Sequence, residues 1–267
     1  MNLYEKDYTH CSEELLKLAS QIKEKNTNGR MINSKYYYEL PKEVRHYQSM
    51  FPNNFLDTAD LHDEQSLEKM RKIEQELKEL INDTSKTELD LKRFIQNKRA
   101  YFIIGSLLKR NYNFGHHGAY VFPEFRLGND YVCDYLIVGD SSDGFKFVFV
   151  EMESINSSPK IRDDRFSDSL RKGINQIKDW QMWLEKNFNT LDFRKYKSPI
   201  KELPEEFIKY ISTRLNFLIV CGKRANYSNK FRDLCRKEQK ESNILILNHD
   251  NLLDTVDELL NSEFTAY

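Results

Sequence analysis

The sequence predicts an α/β protein: a mixed sheet flanked by helices, preceded by a mainly helical N-terminal region. Three observations carry this. Apolar residues recur at helical spacing through the first third of the chain, the pattern changes at residue 119 to runs rich in Val, Ile, Phe and Tyr, and after residue 153 helical and strand-like segments alternate. Residues 12–25 place Leu15, Leu16, Leu18, Ala19 and Ile22 on one helical period, and residues 65–81 repeat it with Leu67, Met70, Ile73, Leu77 and Leu80. Between them, Tyr36-Tyr37-Tyr38, Pro41 and Phe51-Pro52-Asn53-Asn54 break the period and predict an irregular, aromatic-rich connection. Thr87 with Asp90 three residues on is a capping pattern, which predicts a helix running to about residue 110. The boundary between an N-terminal regulatory or sensory region (1–87) and the second domain (88–267) falls at residues 83–86. Strands follow at 119–125, 132–138 and 145–153, the last two flanking Gly139-Asp140-Ser141-Ser142-Asp143-Gly144, a hairpin loop. A helix at 167–187, a buried strand at 215–221, a basic helix at 228–240, a strand at 244–247 and a helix from about 251 complete the order.

Composition narrows the function classes. Of 267 residues, 13% are aromatic, too many for a chain that stays disordered for lack of apolar surface to bury. No apolar run approaches the roughly 18 residues that cross a bilayer, and the opening Met1-Asn2-Leu3-Tyr4-Glu5-Lys6-Asp7 has neither the cationic nor the apolar part of a signal peptide, so a cytoplasmic protein without membrane contact is expected. The mean hydropathy is −0.72. Cys11, Cys133, Cys221 and Cys235 form no C-x-x-C pair, which argues against a zinc site or a disulfide framework. The net charge of −1 hides a gradient, from −3 over residues 1–87 to +8 over residues 194–240. A basic stretch inside a neutral chain is either a phosphate-binding face or a solvated surface.

The chemistry-bearing stretch is Asp134 followed by Glu151-Met152-Glu153. Alternation along a strand puts Glu151 and Glu153 on one face, and the hairpin brings Asp134 alongside; Glu124, closing another apolar strand, is a fourth carboxylate for the same edge. Like charges about 4 Å apart repel by roughly 4 kcal/mol at an effective dielectric of 20, so such a cluster needs protons or a cation. Carboxylate oxygens with the Met152 carbonyl suit Mg²⁺ or Mn²⁺. The same acid-x-acid spacing in Glu74-Gln75-Glu76 lies on a predicted helix and reads as a solvated face. On the helix at 167–187, Gln176, Trp180 and Trp183 share a face, with Lys172 one turn earlier. Packing claims at least one tryptophan and leaves Gln176 to face the acidic edge. His116-His117 precedes an apolar strand and belongs in solvent.

Together, Pro123-Glu124-Phe125-Arg126-Leu127-Gly128, Asp134-Tyr135, Val150-Glu151-Met152-Glu153-Ser154, Gln176-Ile177-Lys178-Asp179-Trp180, Cys221-Gly222-Lys223-Arg224 and Asp250-Asn251-Leu252-Leu253 resemble, in order and spacing, the nuclease domain of Shedu proteins, antiphage defence nucleases of the PD-(D/E)XK superfamily. The resemblance covers residues 88–256. It implies a restriction-endonuclease-like core in which Asp134 and Glu151 bind Mg²⁺ or Mn²⁺, Glu124 assists, and Gln176 orients the site or contacts phosphate. It also implies a homo-oligomer, a tetramer, acting on double-stranded DNA. Glu153 stands where the superfamily usually has a lysine. Glu153 is then a base or a further metal ligand, or a migrated Lys160 or Lys172 supplies the charge, or the site does not cut. The expected backbone contacts are Arg162, Arg165, Arg171, Lys172, Lys223, Arg224, Lys230, Arg232 and Arg236. Competing readings are a non-catalytic DNA-binding or regulatory module that keeps the fold, and a repair or transposition nuclease.

Overall fold

The computed structural model describes residues 3–28, 31–33, 35–161, 165–263 and 266–267. The N-terminal region comprises α1 (Glu13–Lys25), a short hairpin of β1 (Thr27–Asn28) and β2 (Met31–Ile32), α2 (Tyr36–Glu39), α3 (Lys42–Gln48), β3 (Phe55–Leu56) and α4 (Glu64–Asn82). There follow α5 (Glu88–Lys98), α6 (Phe102–Gly105), α7 (Leu107–Asn111), β4 (Gly118–Leu127), β5 (Tyr131–Asp140), β6 (Lys146–Met152), α8 (Asp168–Asn187), β7 (Leu215–Val220), α9 (Asn229–Ser242), β8 (Ile244–Leu247) and α10 (His249–Asn261). The long helices start where the sequence supplies a capping side chain. Ser12, Asp63, Thr87, Ser167, Ser228 and Asn248 each accept a first-turn backbone N–H, and Thr87 with Asp90 forms the full capping box.

Among the described residues the main sheet has six strands in the order β3-β4-β5-β6-β7-β8, antiparallel up to β6 and parallel from β6 to β8. The crossover from β6 to β7 carries α8 and that from β7 to β8 carries α9. Period-2 alternation divides β6 between two cores. Val148, Val150 and Met152 pack with α4, α5 to α7 and α10, while Phe147 and Phe149 pack with Trp180 of α8 and the rings of Phe188, Phe193 and Phe207. This is the expected mixed-sheet fold with a helical N-terminal region.

Two expectations change. The helix expected over 87–110 breaks at Arg99, whose backbone is left-handed (φ 52°). Residues 100–108 are all buried, and one straight helix buries only a stripe; the break lets α6 and α7 turn into the space between sheet and α10. The connection expected to be irregular is instead largely helical, with α2 and α3 on either side of Pro41, and it also contributes β3, which pairs with Ala119 and Tyr120. Two residues are too few to show alternation in sequence. Pro123 is accommodated because the Val121 N–H, two residues earlier on the same side, points to Asn54 O at 2.9 Å, away from β5. The proline nitrogen therefore faces the open edge beyond β3.

The packing crosses the boundary expected at residues 83–86. Leu56, Leu61, Ile73, Leu77 and Ile81 share one core with Val148, Val150 and Leu218 of the sheet. The cysteines are free, with Cys133, Cys221 and Cys235 buried. Because both tryptophans lie on α8, Leu77→Ala on α4 tests whether this core is one cooperative unit. Truncating a fully buried leucine costs about 2–5 kcal/mol, and that loss is expected as an equal shift of the urea midpoint read by tryptophan fluorescence and by far-UV circular dichroism. A shift seen in the dichroism alone would mean that the N-terminal region unfolds by itself.

Candidate functional site

The sheet forks. Pairing of β5 with β6 ends at Tyr135 and Val150, whereas β5 stays with β4 to Tyr131 and β6 stays with β7 to Met152. At the crotch Asp134 turns its carboxylate inward, and Oδ2 accepts the Met152 N–H at 2.7 Å. A side chain thus takes the backbone donor that a continued ladder would have used. Across β4, Glu124 is skipped between the pairs Pro123–Tyr135 and Phe125–Cys133 and has a left-handed backbone (φ 48°). The outer arm of the fork is held by α8. The Trp183 indole N–H donates to Asp130 Oδ2 at 2.7 Å, and its ring lies against Gly128, where an added Cβ would come within 2.7 Å of the ring.

Glu151 follows the alternation of Phe147 and Phe149 and faces α8. Gln176 Nε2 donates to its Oε1 at 3.0 Å, while Oε2 is buried with no hydrogen-bond partner among the described residues. Burial, and after it the Asp134 carboxylate, push the Glu151 pKa up to about 8; Lys92 pulls the other way. Glu153 accepts from Ser169 Oγ at 2.7 Å through Oε2, and its Oε1 occupies space left by Gly173, where an added Cβ would stand 2.9 Å from it. The structure therefore brings together Asp134, Glu151, Glu153 and Gln176. Met152 enters through its N–H, and its side chain is buried in the opposite core.

Two side chains that the spacing did not single out complete the cluster, and both come from α5. Lys92 Nζ lies 2.6 Å from Asp134 Oδ1 and 3.8 Å from Glu88 Oε1. The pKa of Glu88 is raised, first by burial and then by the Glu153 and Asp134 charges, against the pull of Lys92 and Lys172. In sequence this pair has the i, i+4 spacing of an ordinary surface ion pair. Its placement depends on the turn before α5. The Asn156 side-chain amide donates to the carbonyls of Asp83, Thr84 and Lys86 at 3.4, 3.0 and 2.7 Å, tying that turn to the loop after β6.

Glu124 is exposed; its charge acts on Tyr101 and Tyr135, whereas the charges weighing most on Glu151 are Asp134, Lys92, Glu153 and Glu88. Lys172 lines an open cleft of about 500 Å³ with Tyr131, Arg171, Asn175 and Gln176, so the cleft leads to Glu151 through Gln176. Lys160 forms an isolated bridge with Phe166. Of the expected backbone contacts, Arg162 lies outside the described residues. Arg165 and Lys230 are exposed and Lys223 is half-buried. Arg171 pairs with Asp168, Arg236 with Asp233, and Arg224 with Asp254, while Arg232 Nε donates to Tyr227 O at 3.2 Å. Exposed pairs of this kind contribute about 0–1 kcal/mol, so phosphates can replace their acids. Trp180 is fully buried, and His116 and His117 are exposed at the opposite end of β4.

The donor set suits a hard divalent cation. Asp134, Glu151 and Glu153 offer only oxygen, and the orphan Oε2 of Glu151 needs either a proton or a positive charge. Among the described residues no group of three His, Cys, Asp or Glu side chains stands ready to hold a metal ion. One or two carboxylates with retained water and a substrate phosphate is the usual way Mg²⁺ is bound, and these residues fit it.

The raised pKa of Glu151 has a consequence for stability. In the unfolded chain the group loses its proton near the ordinary value of 4.5, while in the folded protein it keeps it to about 8. Ionisation therefore disfavours folding, and stability falls as pH rises between those values. Thermal unfolding from about pH 5 to about pH 9 should show this decline in the wild type and a flatter profile in Glu151→Gln; equal slopes would mean that another group sets it.

A family model described as "Shedu protein SduA, C-terminal" matches residues 85–253, from the turn before α5 into α10. A search of curated proteins finds no match. Spanning well over half of the chain and taking in Asp134, Glu151, Glu153 and Gln176, the match shows that this chain belongs to the Shedu family.

Proposed function

We propose that the chain is a Mg²⁺- or Mn²⁺-dependent DNA endonuclease that hydrolyses phosphodiesters in antiphage defence and works as a homo-oligomer. Family membership points to antiphage defence. The observation that carries the enzymatic reading is the meeting of Asp134, Glu151 and Lys92 at the fork of the sheet, two carboxylates and one ammonium with one carboxylate oxygen left unpartnered. Asp134 and Glu151 would hold the ion, with Glu153 as a further ligand or as the base that takes a proton from water. The chemistry such an ion supplies when bound is neutralisation of phosphate charge and a lowered pKa for its water. Gln176 fixes Glu151 by holding Oε1, which leaves Oε2 as the free donor atom. Ser169 fixes Glu153 in the same way. Lys92, rather than a residue next to Glu151, takes the part of the lysine that the superfamily pattern puts at Glu153. Its ammonium offsets the carboxylates and is placed to steady a phosphate oxygen or the attacking water. Arg171 and Lys172 line the cleft beside Gln176 and receive the flanking backbone, and the basic face of α9 extends that contact. Helix α9 lies next to α8, tied to it by Lys178 with Glu238 at 2.9 Å and by Gln181 Nε2 with Ser242 O at 2.8 Å.

One observation favours a second reading, a DNA-binding module without catalysis: Lys92 already neutralises Asp134, and no three-carboxylate cage is formed among the described residues. Cleavage of supercoiled plasmid separates the two. With Mg²⁺ or Mn²⁺ the wild type should nick or linearise DNA, EDTA and Glu151→Gln should abolish cutting, and Lys92→Met should slow it by about a hundredfold or more, the usual scale for removing a group that handles protons or charge in the transition state. A folded wild type that binds DNA and never cuts, or a Lys92→Met variant that cuts at the wild-type rate, would sink the nuclease reading or the part given to Lys92, respectively.

A further inference from the structure

The hairpin of β4 and β5 has a second end, and there the N-terminal region closes over it to leave a pocket of about 530 Å³. Asp140 lies six residues along β5 from Asp134, about 20 Å at 3.4 Å per residue. One wall comes from α2, α3 and β3, the other from the start of β4, the end of β5 and Phe145 just before β6. Five rings line it, those of Tyr37, Tyr38, Phe55, Tyr120 and Phe145. Tyr38 is 46% exposed, its ring edge-on to Tyr37 at 5.5 Å and to His62 at 4.4 Å. Arg45 is already engaged, with Nε 2.7 Å from Asp57. The rim also carries Gln48, His116, His117 and Lys201 as nitrogen donors, the two imidazoles edge to face at 4.5 Å. One carboxylate, Asp140, is half-buried among them, hydrogen-bonded by the Ser141 N–H and influenced by the His117 and His116 imidazoles and the Glu206 carboxylate.

This lining selects its ligand by exclusion. An apolar chain would leave the rim donors facing carbon, and a bare phosphate would leave the exposed Tyr38 ring and the apolar floor of Phe55, Tyr120 and Phe145 without a partner in the cavity. A duplex is too wide for a cavity of this size, which is in the range of small-molecule sites, about 300–1,000 Å³. Flat faces for stacking, donors for an anion and one acceptor for a hydroxyl or amino group are together the complement of a nucleoside phosphate. We propose that this pocket is a second ligand site that takes a mononucleotide, its base against the tyrosine and phenylalanine rings and its phosphate at His116, His117 and Lys201. An occupant bridges the N-terminal region to the same two strands that carry Asp134 and Glu124. The site stands independently of the nuclease reading, since no metal and no cleavage enter into it.

Equilibrium dialysis of the full chain in EDTA against AMP, GMP, CMP and UMP tests it, with adenosine and inorganic phosphate as partial ligands. At least one mononucleotide should bind saturably and more tightly than either part alone. Tyr38→Ala, and separately His117→Ala with Lys201→Ala, should weaken binding by about tenfold, the scale of one lost stacking or charged contact; far-UV circular dichroism checks that these exposed changes leave the fold intact. Glu151→Gln and Lys172→Ala should bind as the wild type does. Absence of saturable binding, phosphate binding as tightly as the nucleotides, or loss of binding in Lys172→Ala with retention in Tyr38→Ala would each overturn the assignment, the last by moving the nucleotide to the cleft beside Gln176.

Discussion

The hydrogen bond from the Met152 N–H to the Asp134 carboxylate is the contact on which the site depends. It lies where β5 leaves β6, and it removes the cost of leaving a strand without its partner. A backbone donor bonded to a charged acceptor contributes about 1.5–3 kcal/mol, more than the neutral bond it replaces. Because the donor is satisfied by a side chain, β5 is free to follow β4 outward while β6 follows β7, and the gap between them opens at the level of Glu151. The left-handed backbone of Glu124 sits directly across from this point. Such a conformation costs a glutamate of order 1 kcal/mol, and it persists here because the pairs on either side of it stay in register.

What the sequence reveals follows from whether a residue's place is set by its own element. Asp134, Glu151, Glu153 and Gln176 were legible because strand alternation and helix spacing fix which way each points, and the hairpin at residues 139–144 fixes which strands are neighbours. Glu88 and Lys92 were not. They share the i, i+4 pattern of solvent-facing pairs, and what makes them different is that Leu91 and Ile95 bury α5 in the core under the sheet, so that the exposed side of the helix meets the fork. Asn156 was equally silent, since one asparagine in a Ser- and Asn-rich loop gives no periodic signal. The break at Arg99 belongs to the same class, because only the crowding of residues 100–108 between sheet and α10 explains it.

Charge balance is the second consequence of the fork. Among the described residues four carboxylates, Glu88, Asp134, Glu151 and Glu153, meet one close ammonium, that of Lys92, with Lys172 acting from the cleft. At an effective dielectric of 20, each close carboxylate pair costs roughly 4 kcal/mol. The protein relieves this unevenly. Asp134 receives both the ammonium and a backbone N–H, Glu153 receives a hydroxyl, and Glu151 receives one amide hydrogen and otherwise retains a proton well above the ordinary range. The group with the least compensation is thus the one whose second oxygen is still available, and any cation entering the fork gains most there.

The position of that single ammonium is not set by the sheet. Lys92 stands on the second turn of a helix whose start is fixed twice, by the Thr87 and Asp90 capping box and by the Asn156 amide holding three carbonyls of the preceding turn. That turn directly follows α4, and α4 packs against α10 in the same core as the strands of the fork. A displacement of the N-terminal region large enough to move α4 must therefore either break the Asn156 bonds or carry α5 with it. Where α5 is carried along, Lys92 leaves Asp134, and the carboxylates lose their nearest compensating charge. The charge balance of the site is thereby linked, through α5 and the turn that Asn156 holds, to the seating of residues that lie outside it in sequence.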